Sequence, residues 1–368
     1  MKPAQPFFPV TCHPLLRRRQ VLAGGVALVG ATALGVGHAH ASDAVAIITA
    51  HATLRDPWAV AHGLRAMGSA FAINGEQRAV DFLLEKYVSE VTVNGRTLLA
   101  FPIDVEIHPN SFLKTMLEAG VPTSYRFTHQ GRQRTLADLV AGARLLFRPQ
   151  EMADRNQIPW SLIAFSRTTS LLRRRWTNAW GETVDLDASV DGALQLLENA
   201  SAPIAAARRD GRPLAAKSPV HSFTCGGTHM LYGLLSAVHY GFGGKGTRER
   251  VQQQTALMIW RMGGADVDLI SRFYRRHVPS PLNQWEELDS KLKVLGHAEE
   301  CVAFATARGI ISVTADQQAL RAAGKKSLME LLAEVRRRDL TTVRTLAPQT
   351  YQQLVGDTCH AQHGLTLT

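Results

Sequence analysis

The segment HSFTCGGTH, residues 221–229, places one thiol and two imidazoles at a spacing of four residues. His221, Cys225 and His229 would lie on one face if the whole segment were a single helix. Thiolate and imidazole groups bind zinc and copper in proteins. The two glycines and the preceding KSPV instead predict a loop that enters a helix near Thr228, so His221 is set aside. Cys225 and His229 stay candidates for a metal or catalytic centre, for a ligand-facing helix mouth without metal, or for close packing only.

A second group of ligand-type side chains lies near the C-terminus, in GDTCHAQHG. Cys359, His360 and His363 bring three potential metal ligands into one short segment. If the end of the chain folds back onto residues 221–229, the two groups could share one zinc or copper ion, or Cys225 and Cys359 could form a disulfide. The alternative is an exposed tail in which these side chains have no common role.

His297 and Glu300 form a Gly-His-x-x-Glu pattern within LGHAEECVAFA, a segment with helical periodicity. The pattern resembles the motif of the N-acylglucosamine 2-epimerase-like enzymes, α/α-barrel proteins that act on sugars. The resemblance implies that His297 is an acid/base and that Glu300 orients it. It covers only this short stretch, and Ala303 and Phe304 stand near the position where the family has a tryptophan-leucine pattern. The alternative is a helix with one buried histidine and a solvated Glu299–Glu300 pair.

The segment FPIDVEIHPNS alternates acidic and imidazole side chains just before a predicted helix start. On an extended chain, Asp104, Glu106 and His108 would share one side. Two carboxylates and an imidazole could do acid/base work there, with His108 joining His229 and His297 in proton transfer and the acids contacting substrate. The alternative is that these side chains satisfy backbone groups in a loop.

Two tryptophans and an asparagine occur together in RRRWTNAWGETVDLD. Trp176 and Trp180 could stack on a sugar ring while Asn178 supplies directional hydrogen bonds. The segment therefore predicts a substrate-binding surface for a glycan or another polar small molecule. Tryptophans that cover a helical core from a loop are the alternative.

Helical periodicity positions these candidates and dominates the chain after its first forty residues. Nearly apolar helices are predicted over 57–67, 159–166 and 228–238, and two-faced helices over 77–89, 135–147, 187–199 and 247–261. The first kind is typical of buried helices and the second of surface helices. We predict an all-α fold, an α/α-toroid-like stack of helical hairpins that is complete or incomplete, with an orthogonal helical bundle as the alternative. Asn94-Gly95 and Gln130-Gly131 each predict one short β-hairpin.

The N-terminus has the pattern of an export signal over residues 1–41, followed by a single helical domain over 42–368. Arg18 and Arg19 precede a Gly- and Ala-rich apolar run, 21–36, which ends in the small-x-small sequence Ala-His-Ala. The paired arginines favour the twin-arginine route, so the Tat export machinery is an expected partner and the location is periplasmic or secreted. That route carries folded proteins, often with a cofactor already bound.

Composition and charge narrow the classes of partner. The chain has 368 residues and a net charge of +10; removing a signal with four basic residues and no acidic one leaves +6. This excess suits an acidic substrate or an anionic envelope surface. No basic-aromatic interleaving or finger pattern indicates nucleic-acid binding, and residues 42–368 contain no apolar run of transmembrane length.

Three functions follow from these patterns. The first is an exported enzyme that acts on a carbohydrate or another polar, acidic substrate by His/Glu acid-base chemistry inside an α/α-barrel cavity. The second is a periplasmic metal-binding protein with zinc or copper on a Cys/His cluster. The third is a helical scaffold or interaction protein.

Overall fold

A computed structural model describes residues 39–52, 56–150, 157–215 and 218–367. Nearly all of the predicted export signal, residues 1–41, lies outside these ranges, and that signal stays a prediction. No helix within the described ranges is both long enough and apolar enough to cross a membrane.

The fold is mostly α-helical, with short β-hairpins, as the sequence predicts. The helices are α1 (Ala39–His51), α2 (Pro57–Met67), α3 (Ala79–Tyr87), α4 (Ile103–Glu106), α5 (Ser111–Glu118), α6 (Leu136–Leu146), α7 (Ile158–Thr168), α8 (Leu186–Arg209), α9 (Thr228–His239), α10 (Thr247–Trp260), α11 (Asp266–Tyr274), α12 (Pro281–Ala307), α13 (Ala315–Arg337), α14 (Leu340–Leu346) and α15 (Pro348–Thr366). The strands are β1 (Ala72–Ile73), β2 (Gln77–Arg78), β3 (Ser89–Val93), β4 (Arg96–Ala100), β5 (Arg126–His129), β6 (Arg132–Thr135), β7 (Arg175–Thr177) and β8 (Thr183–Asp185).

Helices of the described ranges form a closed inner ring. Each member contacts the next in the order α2, α5, α7, α9, α12 and α15, and α15 returns to contact α2. A second layer packs outside it: α3 lies on α2, α6 on α7, α8 on α9, α10 on α9 and α12, α13 on α12, and α1 on α15. Inner and outer helices therefore alternate along the chain, which is the arrangement of an α/α toroid.

The seven helices that the sequence classifies by apolar pattern lie in the expected layers. The nearly apolar helices α2, α7 and α9 belong to the inner ring, where they are covered on several sides. The two-faced helices α3, α6, α8 and α10 belong to the outer layer, where one side meets solvent. One apolar core connects the layers and extends from Ala44 to Ala361.

The hairpins decorate this ring. β3–β4 and β5–β6 are the two predicted ones, and their turns place Asn94, Gly95, Gln130 and Gly131 at positive φ, as two-residue hairpin turns require. β1–β2 and β7–β8 were not predicted, because strands of two or three residues leave no alternating pattern to detect.

Glycines allow the inner helices α12 and α15 to pack closely. A Cβ atom at Gly364 would lie 2.7 Å from the backbone nitrogen of Glu300, and one at Gly296 would lie 3.0 Å from the carbonyl oxygen of Asp357. Both neighbours are backbone atoms within helices, so neither can move aside cheaply. The close approach brings the histidines of α12 next to those of α15.

Candidate functional site

A small cavity lies inside the helical ring. Its volume is about 70 Å³, which gives room for a few water molecules or one small ligand. Every helix of the inner ring contributes to its wall. The polar and aromatic lining residues are Trp58, His62, Arg65, Glu106, His108, Ser111, Phe112, Lys114, Thr115, Trp160, Thr224, Cys225, His229, Lys293, His297, Gln353, Asp357 and His360.

Two imidazoles from different helices lie against each other in this cavity. The ring centroids of His297 on α12 and His360 on α15 are 3.7 Å apart, with 31° between the ring planes. Both side chains are buried, at 2% exposure each. Their position follows from the close packing of α12 on α15.

The Glu300 carboxylate fixes the orientation of His360. Its Oε2 atom accepts a hydrogen bond from His360 Nδ1 at 2.8 Å, and its Oε1 atom accepts from His363 Nδ1 at 2.6 Å and from Arg65 Nε at 2.7 Å. Burial alone would raise the pKa of Glu300, but Arg65, followed by His360 and His363, outweighs it and holds that pKa well below its usual value. Glu300 is therefore a buried anion with its oxygens fully used.

A second carboxylate pairs with His297. Asp357 Oδ1 lies 3.0 Å from His297 Nε2. Behind it, Asp289 lies near enough for its carboxyl group to interact electrostatically with that of Asp357, and Lys293 Nζ lies 3.3 Å from Asp289 Oδ2. Burial raises the pKa of both carboxyl groups to about 7, although Lys293 opposes the shift. Burial therefore favours the protonated form of both carboxyl groups, against the attraction of Lys293.

The remaining histidines surround this pair. His229 near the start of α9 lies 4.7 Å from His297 and 5.2 Å from His360 between ring centroids. On its other side His229 contacts the indole of Trp160, on which His108 is stacked at 3.9 Å. The rings form one continuous aromatic wall.

The imidazoles of His62, His229, His297 and His360 are neutral at physiological pH. Desolvation lowers the pKa of His62 and His297 to about 3, and lowers the pKa of His229 and His360 well below the usual value. His62 Nδ1 donates to the Trp58 carbonyl oxygen at 2.7 Å, so its Nε2 atom carries a lone pair. The same reasoning gives His360 a lone pair on Nε2. The cavity thus collects hydrogen-bond acceptors.

Cys225 reaches the cavity from a strained backbone. Its φ and ψ of 50° and 39° are left-handed, and Gly226 and Gly227 follow with positive φ. Arg261 Nη1 holds the loop by donating to the Gly226 carbonyl oxygen at 2.9 Å. A non-glycine residue in the left-handed region costs about 1–3 kcal/mol. Residues held in this conformation are common at functional sites. The predicted loop, with α9 beginning at Thr228, is confirmed.

Two overlapping groups of ligand-type atoms result. Within the described residues, the ligand atoms of Cys225, His229 and His297 all lie within 4.8 Å of one another, and those of His297, Glu300 and His360 do as well. His297 belongs to both groups. The C-terminal helix α15 therefore lies against the loop that carries Cys225. This is the alternative in which the end of the chain folds back onto residues 221–229.

The prediction that Asp104, Glu106 and His108 share one side of an extended segment is wrong. Residues 103–106 form the helical turn α4, and Ile107 then adopts a left-handed φ of 65°. Asp104 is exposed, whereas Glu106 and His108 are buried and line the cavity. Burial raises the pKa of Glu106 to about 8, although its backbone hydrogen bonds, such as that from Asn110, oppose the shift.

The predicted sugar-binding residues do not line this cavity. Trp176 lies in β7, and its Nε1 atom donates to the Arg144 carbonyl oxygen at 2.8 Å. Asn178 is buried and its Oδ1 atom accepts the backbone N–H groups of Trp180 and Glu182, each at 3.0 Å. Their polar atoms organise the β7–β8 hairpin, and a role in substrate binding stays a prediction.

Two further candidate ligands, Cys359 and His221, do not line the cavity. Cys359 is fully buried on α15 and does not line the cavity, and the three cysteines of the described ranges are free thiols, so the Cys225–Cys359 disulfide does not form here. His221 is buried 3.8 Å from Asp266 and also lies outside the cavity wall.

The alternative of a solvated glutamate pair on α12 is wrong. Glu299 is 0% exposed and Glu300 is 2% exposed. Glu299 pairs with Arg321 through two hydrogen bonds of 2.7 and 3.0 Å, while Glu300 pairs with Arg65. The two neighbouring acids therefore anchor α12 to different helices.

Sequence reasoning missed several residues of the site. Arg65, Asp289 and Lys293 each look like an ordinary charge on a helix, and His62 looks like an ordinary core histidine. One signal was present: Asp289 and Lys293 are four residues apart, and helical positions of that spacing lie on one face. The apolar surroundings of α12 would have placed that face inside.

No protein-family model, curated protein or solved structure matches this chain. The resemblance carried by His297 and Glu300 therefore stays a prediction.

Proposed function

We propose that this protein binds a transition-metal ion, zinc or copper, inside its helical ring. The carrying observation is that the ligand atoms of Cys225, His229 and His297 lie within 4.8 Å of one another in a small cavity. A thiolate with neutral imidazoles is a ligand set that zinc and copper prefer over harder cations. A modest adjustment of side chains brings such atoms to bonding distance around one ion.

His360 is the natural fourth ligand. Its Nδ1–H donates to Glu300, which leaves the Nε2 lone pair for a metal. Glu300 itself already accepts from three donors, so we assign it an orienting role rather than a place among the ligands. Asp357 plays the same part for His297. Histidine ligands in metal sites regularly carry a carboxylate or carbonyl partner of this kind.

The charge balance around the cavity favours a cation. Arg65 and Lys114 are neutralised by Glu118 and Glu300 through ion pairs of 2.7 to 3.0 Å. Lys293 faces the Asp289–Asp357 pair in the same way. The imidazole lone pairs and the Cys225 thiol remain as potential ligands for a metal ion. Buried acceptors without donors are unfavourable, and a bound cation satisfies several of them together.

Calorimetric titration of the metal-stripped protein with Zn²⁺, and with Cu⁺ under anaerobic conditions, tests this proposal. We expect one equivalent to bind to the wild-type chain and the affinity of His297→Ala to fall at least about a hundredfold. His239→Ala, which removes a histidine outside the cavity, is the matched control and should bind like wild type. Equal affinity in all three proteins would refute the site.

A second function has its own supporting observation. His297–Asp357 and His360–Glu300 are two carboxylate–imidazole pairs with their rings in contact, an arrangement suited to moving protons to and from a substrate. We therefore propose as the alternative an enzyme that uses this site for acid-base chemistry, with a bound zinc ion supplying Lewis acidity where metal is present. The cavity volume favours a small polar substrate over a polymer chain.

These two functions are separable by experiment. Activity on a panel of small sugars and acids, measured before and after metal removal, distinguishes a metal-dependent enzyme from one that uses the imidazoles alone. A protein that binds metal and turns over none of them would be a metal-binding protein in the simple sense. A predicted twin-arginine signal fits a buried centre that is loaded before export.

A further inference from the structure

The loop that follows α7 exposes two leucines. Leu171 is 47% exposed and Leu172 is 95% exposed. Arg173, Arg174 and Arg175 follow directly in the sequence. The loop therefore presents an apolar tip beside a run of cations.

More arginines lie around the neighbouring end of α9. The charged groups that act on His239, the last residue of α9, are Arg308, Arg167 and Arg248. Together with desolvation, which has the largest effect, they lower the pKa of that histidine. Cations thus dominate the surface around His239.

Contacts join the leucines to this basic region. A Cβ atom at Gly241 would lie 3.3 Å from Leu171 Cδ2, and Arg174 Nη2 donates to the Gly241 carbonyl oxygen at 3.2 Å. Gly241 follows His239 by two residues. Leu171, Leu172 and the arginines around His239 therefore form one face, here called the leucine–arginine surface, at the ends of α7 and α9 that lie away from the cavity.

Some arginines of this surface form ion pairs with acids, and others do not. Arg174 pairs with Asp187 at 2.8 Å, and Arg175 pairs with Asp185 at 2.6 Å. Across the described part of the chain, Arg167, Arg173 and Arg308 make no ion pair; Arg167 lies over the Tyr240 ring and Arg308 over the Phe304 ring. These guanidinium groups remain available to anions.

We propose that the leucine–arginine surface docks onto an anionic phospholipid bilayer. The leucines would enter the boundary between headgroups and acyl chains, where apolar side chains leave water, and the unpaired arginines would contact lipid phosphates. Charge complementarity and the exposed leucines together favour a bilayer over a soluble polyanion, because a soluble polyanion offers no apolar environment in which the leucines leave water. The proposal concerns the opposite end of α7 and α9 from the cavity and stands whether or not the cavity binds metal.

Sedimentation of the full chain with phosphatidylglycerol/phosphatidylcholine vesicles tests the proposal. We expect wild type to bind these vesicles in a salt-sensitive manner, and to bind pure phosphatidylcholine vesicles much less. The double variant L171S/L172S should bind at least about tenfold more weakly, since two apolar anchors are lost. R173S/R308S should also lose about tenfold, and only on anionic vesicles.

V278S/L346S is the matched control, since Val278 and Leu346 are also exposed apolar residues, at 63% and 64%. This variant should bind vesicles like wild type. The apolar run 21–36 is present in every variant, so it does not account for differences in binding between them. Absence of binding by wild type, or wild-type binding by L171S/L172S, would overturn the proposal. A loss confined to R173S/R308S would mean that the surface binds anions by charge alone, without insertion of the leucines, and would equally overturn the proposal.

Discussion

The rings of His297 and His360 are 3.7 Å apart although one residue belongs to α12 and the other to α15. Their separation depends on Gly296 and Gly364, which let the two helices approach, and on Asp357 and Glu300, which orient the rings. The first and third predictions below test parts of this arrangement, the second tests a buried acid elsewhere in the cavity wall, and the closing measurement tests the metal centre that we propose.

Glu300 should be essential for stability. Glu300→Gln removes the negative charge that faces the buried Arg65 and replaces one of the two oxygens that accept from Arg65, His360 and His363 with an NH2 donor. We expect the free energy of unfolding to fall by about 3–5 kcal/mol, as for other broken buried ion pairs. Denaturant titration measures the effect.

Glu334→Gln is the control for this experiment, because Glu334 makes a half-exposed ion pair with Arg338 at 2.6 Å. Its loss should cost about 1 kcal/mol or less. If the two variants were destabilised equally, the Glu300 carboxylate would not be the buried anchor described above.

Glu106 should make stability depend on pH. Its folded-state pKa of about 8 lies above the value of 4.5 in an unfolded chain, so the folded protein holds an extra proton between these values. The stability that this proton gives is complete below about pH 4.5 and is lost as pH rises through 8, at up to about 1.4 kcal/mol per pH unit.

Unfolding free energies of Glu106→Gln and wild type, compared from pH 5 to pH 8, isolate this contribution. The variant should lose the share of the decline that comes from Glu106, because an amide cannot lose a proton, while the share from Asp289 and Asp357, whose pKa values are also raised, persists in both proteins. Asp104→Asn, which alters an exposed carboxyl in the same segment, should keep the wild-type profile. Parallel pH profiles for Glu106→Gln and wild type would show that Glu106 is ionised in the folded protein.

The close packing of α12 against α15 leaves no room for an added methyl group, so such a group should lower the stability of the protein. Gly364→Ala places a Cβ atom 2.7 Å from the Glu300 backbone nitrogen, so the helices must separate, at a cost of roughly 1–3 kcal/mol. At Gly192, within α8, a Cβ atom meets nothing within 4 Å, and Gly192→Ala should stabilise by about 0.5–1 kcal/mol. Thermal unfolding of both variants checks the contrast, which fails if they shift the midpoint in the same direction.

Local patterns predicted much of the fold. The apolar run of α9 marked an inner helix and the two-faced pattern of α8 marked an outer one, because burial on all sides or on one side leaves a direct trace in residue type. Asn94-Gly95 marked a hairpin through its turn geometry. The short β7–β8 hairpin left no such trace.

The site was predictable only in part. Cys225, His229, His297 and His360 were selected because thiol and imidazole groups are rare and chemically informative. Arg65 gave no signal, since its partner Glu300 comes from the far end of the chain. The ring closes through contacts between helices that are far apart in the sequence, such as α2 and α15. Residue spacing within one helix cannot predict such contacts. Cys359 was selected by the same logic as Cys225 but faces the core.

Cobalt substitution tests the central claim most directly. Co²⁺ replaces Zn²⁺ in a Cys/His site, and a thiolate ligand produces an intense sulfur-to-cobalt charge-transfer absorption. We predict this absorption for wild type and for Cys359→Ser, and its loss in Cys225→Ser with weaker cobalt binding. Absence of the band in wild type, or its survival in Cys225→Ser, would contradict a metal centre built on Cys225, His229 and His297.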